Sequence, residues 1–485
     1  MVAEAADTPN VLSGHIAPGT GSGSGAGTAR RHPVRAVGGS RSLPGVSTVD
    51  DLMAFISASP SPYHAVAEAS RRLIDAGFTS MDLTAPWPEA TGRSFVARGG
   101  ALVAWTAVDS DDVASDGGPA TPFRIIGAHT DSPNLRLKPH PDAGGFGWKQ
   151  LAVEVYGGAL WNSWLDRDLG LSGRVAVRGR PDPLLVRIDE PLLRVPQLAI
   201  HLDRDVNGQG LKLNPQQDLT PVWGTGAVRD GDFVEYLVGH LTAAHDLRLE
   251  PADVRSWDLM VHDLTPPARL GRQRELLASA RLDNLVSCWA AIEALCGAAS
   301  GTGGPVGQTV AVACLYDHEE VGSTSATGAD GDLLGQVLER IVVAQGGGRA
   351  EYLRALAASM CASADMGHAT HPNHPERHEP GHLVGVNGGP VIKVNANQRY
   401  ATDAPSAAAM VLACEQAGVT HQWFVGRNDQ PCGSTIGPTT AARLGISTVD
   451  VGVAQLSMHS ARELCGADDP SRLADALSAF LAPTS

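Results

Sequence analysis

Residues Thr309 to Gly322, TVAVACLYDHEEVG, constrain the rest of the chain more than any other stretch. An unbroken apolar, β-branched run predicts a strand buried on both faces, the kind found in sheets covered by helices. The run breaks off into Asp317, His318, Glu319 and Glu320, with a turn at Gly322. Charge at the end of a buried strand is costly unless a partner neutralises it. Two readings stand at this point. One is a solvated loop beyond a core strand. In the other, one carboxylate holds a metal ion while its neighbour handles the proton of an activated water. The choice turns on whether other segments supply further ligands.

At 485 residues the chain has room for two or more domains and a large core. A formal charge of -15 at pH 7 is opposite to the basic footprint that nucleic-acid binding needs. No apolar run approaches the roughly 20 residues that span a bilayer, so no membrane partner is expected. The seven cysteines are odd in number and include no C-x-x-C pair. Several sit in apolar runs, which predicts buried, reduced thiols in a cytoplasmic protein. Residues 1–46 are rich in Gly, Ser, Ala and Thr and bury too little apolar surface to offset their ordering entropy. A disordered tail is expected there, and Arg30-Arg31 lacks the apolar stretch of an export signal.

From Ser47 the pattern turns globular. Thr48 and Asp51 have the spacing of a capping box ahead of Leu52, Phe55 and Ile56 on one helical face. A second helix is expected from Tyr63 to Ala76, stopped by Gly77. Runs at 101–107 and 123–128 read as strands. The second of these delivers His129 and Asp131, a pair in which the histidine can ligate a metal while the aspartate orients it. From about 134 to 255 the texture changes to short alternating runs, turns and prolines, with strands expected at 153–158, 173–178 and 184–188. This is a β-rich insert. Beyond Trp257 helix–strand alternation returns. SARLDN (279–284) leads into a helix over 284–297 with Leu285, Trp289, Ile292 and Leu295 as its apolar face. Asp283 at its start is either a cap or a ligand. A helix at 332–344 and strands at 390–394 and 446–451 complete the pattern.

Singly, His129, Asp283, Glu319, Glu320, Asp365 and His459 each have a structural explanation. Together they fall at strand ends and helix starts of an α/β pattern, where such folds place their sites. Two histidines with carboxylates form a hard, oxygen-rich set suited to two divalent ions about 3.5–4 Å apart with one carboxylate bridging. No cysteine spacing supports a structural zinc site instead. His378-Glu379-Pro380-Gly381-His382 matches H-E-x-x-H in letters only. That motif needs a helix, which Pro opposes by roughly 3 kcal/mol and Gly by roughly 1. The sequence contains neither a G-x-S-x-G nucleophile elbow nor a G-x-x-x-x-G-K-[ST] phosphate loop.

HTDSPNLRLK (129–138), GGALWNSWLDRDLGLSGRV (157–175), SARLDNLVSC (279–288) and DHEEVGSTSATGA (317–329) resemble the M18 aminopeptidases, the aspartyl aminopeptidase family. SADMGHATHPNHPERHE (363–379), GPVIKVNANQRYA (389–401), RNDQPCGSTIGP (427–438) and QLSMHSARE (455–463) extend the match from about Ser47 to near the C-terminus. Ala159 stands where the family usually has a third glycine, and Leu165 where it usually has Phe.

The resemblance implies a zinc-peptidase-like α/β/α sandwich. Residues 47–133 and 256–485 would form a discontinuous catalytic domain, with 134–255 an inserted β-rich dimerisation domain and dimers assembling into a dodecamer. It implies two Zn²⁺ per subunit, replaceable by Co²⁺ or Mn²⁺, one held by His129 and Asp365, the other by Glu320 and His459, with Asp283 bridging. Glu319 becomes the general base and Asp131 supports His129. His201, in LLRVPQLAIHL, resembles the histidine that reaches a neighbouring subunit's site to hold the substrate carbonyl or developing oxyanion; direct zinc ligation is the alternative. Lys393, one of four lysines in the chain, would line a pocket for an acidic side chain with Tyr400, and His368 is a further substrate contact. The implied function is removal of N-terminal Asp or Glu from peptides. The alternatives are an apolar preference, a dinuclear carboxypeptidase or deacylase, and a non-catalytic assembly shell. The last has no need of a base such as Glu319 beside the ligands.

Overall fold

The computed structural model describes residues 48–88, 92–106, 121–299 and 309–484, so the tail expected over 1–46 lies outside the described residues. The central strand forms as Val310–Tyr316 within a nine-stranded sheet, and all seven of its residues are buried. It pairs in parallel with Phe123–His129 and antiparallel with Ala101–Trp105. Phe123–His129 pairs in parallel with Met360–Ala364, which pairs in parallel with Ser447–Gly452. Val391–Val394 is antiparallel to Ser447–Gly452 and parallel to the edge strand Gln422–Val425. Three neighbouring parallel strands therefore end side by side, with His129 opposite Tyr316 and Asp365 just past Ala364.

Burial on both faces accounts for the unbroken apolar run. Leu102, Ala104, Ile126, Ala128, Ala311 and Ala313 share a core with the helices Thr48–Ala58, Pro62–Asp75, Leu282–Ala299, Ala404–Ala417 and Asp469–Leu481. The alternate residues Val103, Trp105, Ile125, Val312 and Cys314 share another with Leu333–Ala344, Arg349–Ala357 and Ile436–Leu444. Helices on both faces of a mostly parallel sheet make an α/β/α sandwich.

Two local expectations are corrected. Leu285, Trp289, Ile292 and Leu295 are buried as anticipated, but so are Val286, Cys288, Ala290, Ala291 and Ala294 on the other sides of Leu282–Ala299. This helix lies between the sheet and the outer helices and has no solvated stripe. The capping box at Thr48 does not form either. Thr48 Oγ1 bonds Ser471 Oγ at 2.6 Å, while Asp51 pairs with Arg72 and accepts from Trp289 Nε1 at 2.7 Å. Tertiary partners win over the local cap.

The β-rich stretch builds a separate six-stranded antiparallel sheet, in the order Leu184–Leu193, Leu169–Val177, Val254–Asp263, Asn134–Gly145, Trp148–Tyr156, Val222–Thr225. Its last strand runs to Asp263, past the change of texture near 255. Leu135, Leu171, Val186, Ile188 and Leu259 pack with Phe233, Leu237 and Leu241 of the helix Asp232–His245 in its own core. A third, five-stranded sheet holds Gly367–His368, Ala454–Leu456 and Glu463–Gly466. Among the described residues no helix is long and apolar enough to cross a membrane. All seven cysteines are free; five are buried, and Cys296 and Cys432 are half-buried.

Candidate metal centre

The ends of the three parallel strands meet a helix start and a turn at one point. His129 closes its strand and Asp365 follows the next. Glu319 and Glu320 lie in the short turn Glu319–Val321, which His318 (φ 64°) and Gly322 (φ 95°) enter and leave in left-handed conformations. Asp283 comes from the first turn of Leu282–Ala299. His459 comes from the turn between Ala454–Leu456 and Glu463–Gly466.

Ligand-type atoms of three residue groups lie within 4.8 Å of one another: His129, Asp283 and Asp365; His129, Glu319 and Glu320; Asp283, Glu320 and His459. His129 Nε2 is 3.3 Å from Asp365 Oδ1 and 3.4 Å from Asp283 Oδ1. His459 Nε2 is 3.4 Å from Glu320 Oε2 and 3.7 Å from Asp283 Oδ2. Asp283 thus turns one oxygen towards each histidine. Asp283 Oδ1 and Glu320 Oε1 are buried without a hydrogen-bond partner. A buried carboxylate oxygen in that state calls for a cation. This donor set fits divalent metal ions.

Both histidines have Nδ1 engaged, His129 with Asp131 O at 3.0 Å and His459 with Gly158 O at 3.1 Å. A carbonyl only accepts, so in the neutral ring Nδ1 carries the proton and Nε2 presents its lone pair to the cluster. Burial opposes it, yet Asp131, Asp283 and Asp365 hold His129 well above the usual imidazole range. Burial and then Asp283 hold Glu320 well above the carboxylate range. Burial likewise pushes Glu319 up to about 8, with His129 opposing and Asp365 and Asp131 adding to it. Asp365 goes the other way: against burial, the nearby Lys393 ammonium holds it low.

Lys393 is 2% exposed and sits against Asp365. Its Nζ donates to Asp365 O at 2.9 Å, Met366 O at 3.0 Å and Asp365 Oδ2 at 3.3 Å, so all three ammonium hydrogens are engaged within the protein. The Tyr400 ring centroid is 5.3 Å from Nζ. Phe424 makes edge contacts with Tyr400 and with the exposed His368, both at 6.2 Å. His201 lies apart, on a turn with exposed Leu198, Ile200 and Leu202, and belongs to none of the metal-type groups found among the described residues. The stretch from His378 to His382 is irregular, as the Pro-Gly pair dictates.

A sequence profile described as aminopeptidase I zinc metalloprotease (M18) matches residues 55–481. The chain belongs to the M18 peptidase family. Two M18 relatives, each described as a probable M18 family aminopeptidase 2, are similar over nearly their whole length. The one from Streptomyces coelicolor is 56% identical over 436 residues, 90% of this chain and 97% of the relative. That from Mycobacterium tuberculosis H37Rv is 52% identical over 446 residues, 90% and 98%. Among solved structures, a chain of the Ape4–Nbr1 complex is 36% identical with a TM-score of 0.83, covering 90% of this chain and 85% of its own. The S. cerevisiae mApe1 dodecamer is 26% identical with a TM-score of 0.74, covering 89% and 95%. The two departures from the M18 pattern have structural homes: Ala159 is half-buried, and Leu165 packs in the core of the six-stranded sheet.

Three side chains of this M18 chain support the cluster although the sequence reading assigns them no role. Glu463 accepts from the backbone of both Asp283 (3.0 Å) and His459 (2.8 Å). Tyr156 Oη donates to Asp131 Oδ2 at 2.6 Å. Asp450, fully buried, accepts from Ser363 Oγ, Thr435 Oγ1 and Ala401 N, tying the Tyr400 loop to the strand ends. The sequence signals available were the place of Glu463 at the end of QLSMHSARE and an acid inside the buried strand STVDVG.

Proposed function

We propose that this M18 chain is a dinuclear zinc aminopeptidase that removes N-terminal residues from peptides, with Asp or Glu preferred. The observation that carries this reading is the two-sided Asp283 carboxylate between two histidines that each offer Nε2. On it, His129 and Asp365 would hold one ion and Glu320 and His459 the other, with Asp283 the carboxylate shared between them, and Co²⁺ or Mn²⁺ could replace Zn²⁺. Bound there, the ions supply Lewis acidity towards the scissile carbonyl and make water easier to deprotonate at neutral pH.

Glu319 is the general base. Its carboxylate takes the proton of the attacking water and returns it to the leaving amine. The Glu319 side chain is 17% exposed against 3% for Glu320, which supports this division of roles. Asp131 keeps His129 oriented through Nδ1. His201 acts on a neighbouring subunit, holding the substrate carbonyl or developing oxyanion. Its exposed turn, flanked by apolar side chains, supports an intersubunit location over direct metal ligation. Accordingly the insert that begins at 134, placed at 134–255 by its sequence texture and reaching Asp263 through its last strand, is the dimerisation domain, and 47–133 with the residues beyond the insert form the catalytic domain. The dimers build a dodecamer; the mApe1 structure is a dodecamer. The free thiols suit a cytoplasmic enzyme.

The acidic preference rests on Lys393, Tyr400 and His368. The 3.3 Å bond to Asp365 Oδ2 is the longest that Lys393 makes and the one a substrate carboxylate can take over. A second reading, an apolar preference, is favoured by the saturation of all three Lys393 hydrogens.

The test is metal analysis followed by chelation and reconstitution, with peptides carrying a free or an acetylated N-terminus. The expected result is zinc in the purified protein, activity lost on chelation and restored by Zn²⁺, Co²⁺ or Mn²⁺, and cleavage of free-amine peptides only. Full activity in metal-free protein, or turnover of acetylated peptides, overturns the reading.

A further inference from the structure

The Tyr156-Gly157-Gly158 segment leaves the six-stranded sheet and passes directly behind the cluster. Tyr156 ends the strand Trp148–Tyr156, and its hydroxyl donates to Asp131 Oδ2. Asp131 is the hub on the His129 side. It also accepts from the backbone amides of Glu319 and Glu320, each at 3.1 Å, and its Oδ1 lies 3.4 Å from His129 Nδ1. The Arg136 guanidinium stacks 3.6 Å from the Tyr156 ring centroid and fixes the ring.

Gly157 (φ +70°) passes so close to Glu320 that a Cβ there would sit 3.0 Å from Glu320 Cβ. Gly158 serves His459. Its carbonyl accepts from His459 Nδ1–H, and a Cβ at this position would sit 3.2 Å from the same nitrogen. Leu160 N then donates to His459 O at 2.9 Å, and Ser163 Oγ accepts from Ala461 N at 2.8 Å. One short segment of the second sheet therefore touches both halves of the cluster, through Asp131 on one side and His459 on the other.

We propose that Tyr156 and Gly158 are positioning residues for the two metal positions, so that metal affinity is set from the six-stranded sheet; this rests on reading His129, Glu320 and His459 as metal ligands. The physical reason is that a histidine ligates well only when its other nitrogen is tied down in the right tautomer and direction. Tyr156 acts at one remove, by fixing the Asp131 carboxylate that lies 3.4 Å from His129 Nδ1 and accepts from the Glu319 and Glu320 amides, and Gly158 acts directly on His459. Outer-shell partners of this kind are worth about 10–100-fold in metal affinity.

The test uses full-length protein titrated with Zn²⁺ against a chromophoric chelator, and with Co²⁺ while its visible absorption is followed. Tyr156→Phe should weaken one zinc step by about 10–100-fold. Gly158→Ala should weaken the other step and shift the cobalt bands of that position. The metal-free melting temperature serves as the control for folding. If Gly158→Ala does not fold, Ser163→Ala, which releases the amide of Ala461, reports on the same step. His129→Ala and His459→Ala separate the two levels of the claim. If those variants leave both zinc steps intact, the ligand assignment itself fails. If they abolish a step each while folded Tyr156→Phe and Gly158→Ala (or Ser163→Ala) bind zinc as the wild type does, the positioning role alone is overturned.

Discussion

Lys393→Met keeps most of the length of the side chain and removes its charge and its donors. In the fold this strands two carbonyl oxygens, of Asp365 and Met366, and one carboxylate oxygen of Asp365, all in a buried setting. A buried acceptor left unpaired costs about 1–3 kcal/mol, and removing one partner of a buried ion pair costs about 3–5 kcal/mol. Protonation of Asp365 limits the sum, so we expect metal-free protein to lose about 3–5 kcal/mol, on the order of 5 °C in melting temperature for a chain of this size. The loss should shrink when metal is bound, because a cation then faces the same carboxylate. Turnover separates the two roles open to this lysine. If it recognises acidic side chains, kcat/KM for an Asp-linked substrate should fall at least about tenfold, one decade being about 1.4 kcal/mol, with a Leu-linked substrate unaffected. If it only holds Asp365, both substrates should fall together. Wild-type melting of the metal-free variant together with an unchanged Asp-to-Leu ratio would refute both.

Glu319→Gln should keep its metal content while kcat falls about 10²–10⁴-fold; near-normal kcat removes Glu319 as the base. Glu319 titrates near 8 in the fold against an ordinary value of 4.5, so the folded state holds a proton that the unfolded state has released. Metal-free protein should therefore lose stability as pH rises from about 4.5 to about 8, and apparent zinc affinity should climb over pH 6 to 8 as bound metal displaces protons. Melting curves and chelator competition at several pH values check both, and flat profiles contradict them. His201→Ala should lower kcat in intact assemblies, and dissociated wild-type subunits should be inactive. An active monomer, or an unimpaired variant, removes the intersubunit role.

What the sequence reveals follows the range of the physics involved. The central strand, the His129 strand and the helix Leu333–Ala344 lie where apolar runs place them, because burial there is decided by the run itself. The cluster is legible because Asp283, Asp365 and Glu320 all fall at element ends of an α/β pattern, where such folds place their sites. Contacts made across hundreds of residues are not. Thr48 was free to pair with Ser471 in place of its cap, and no local signal marks the bonds of Lys393 to Asp365 and Met366. Tyr156 carries no local mark of its bond to Asp131, since a tyrosine closing a strand is equally at home in a core. His201 has its proposed partner on another copy of the chain.

The order of strands in the large sheet has a consequence for how the enzyme comes into being. Val310–Tyr316 slots between Ala101–Trp105 and Phe123–His129, so those early strands leave the ribosome facing a gap that is filled about two hundred residues later. Such distant pairings form slowly. His459 emerges last of the six side chains that meet at the cluster. Until then every nascent chain holds an incomplete set, so each subunit must finish synthesis and close its large sheet before its own cluster can form.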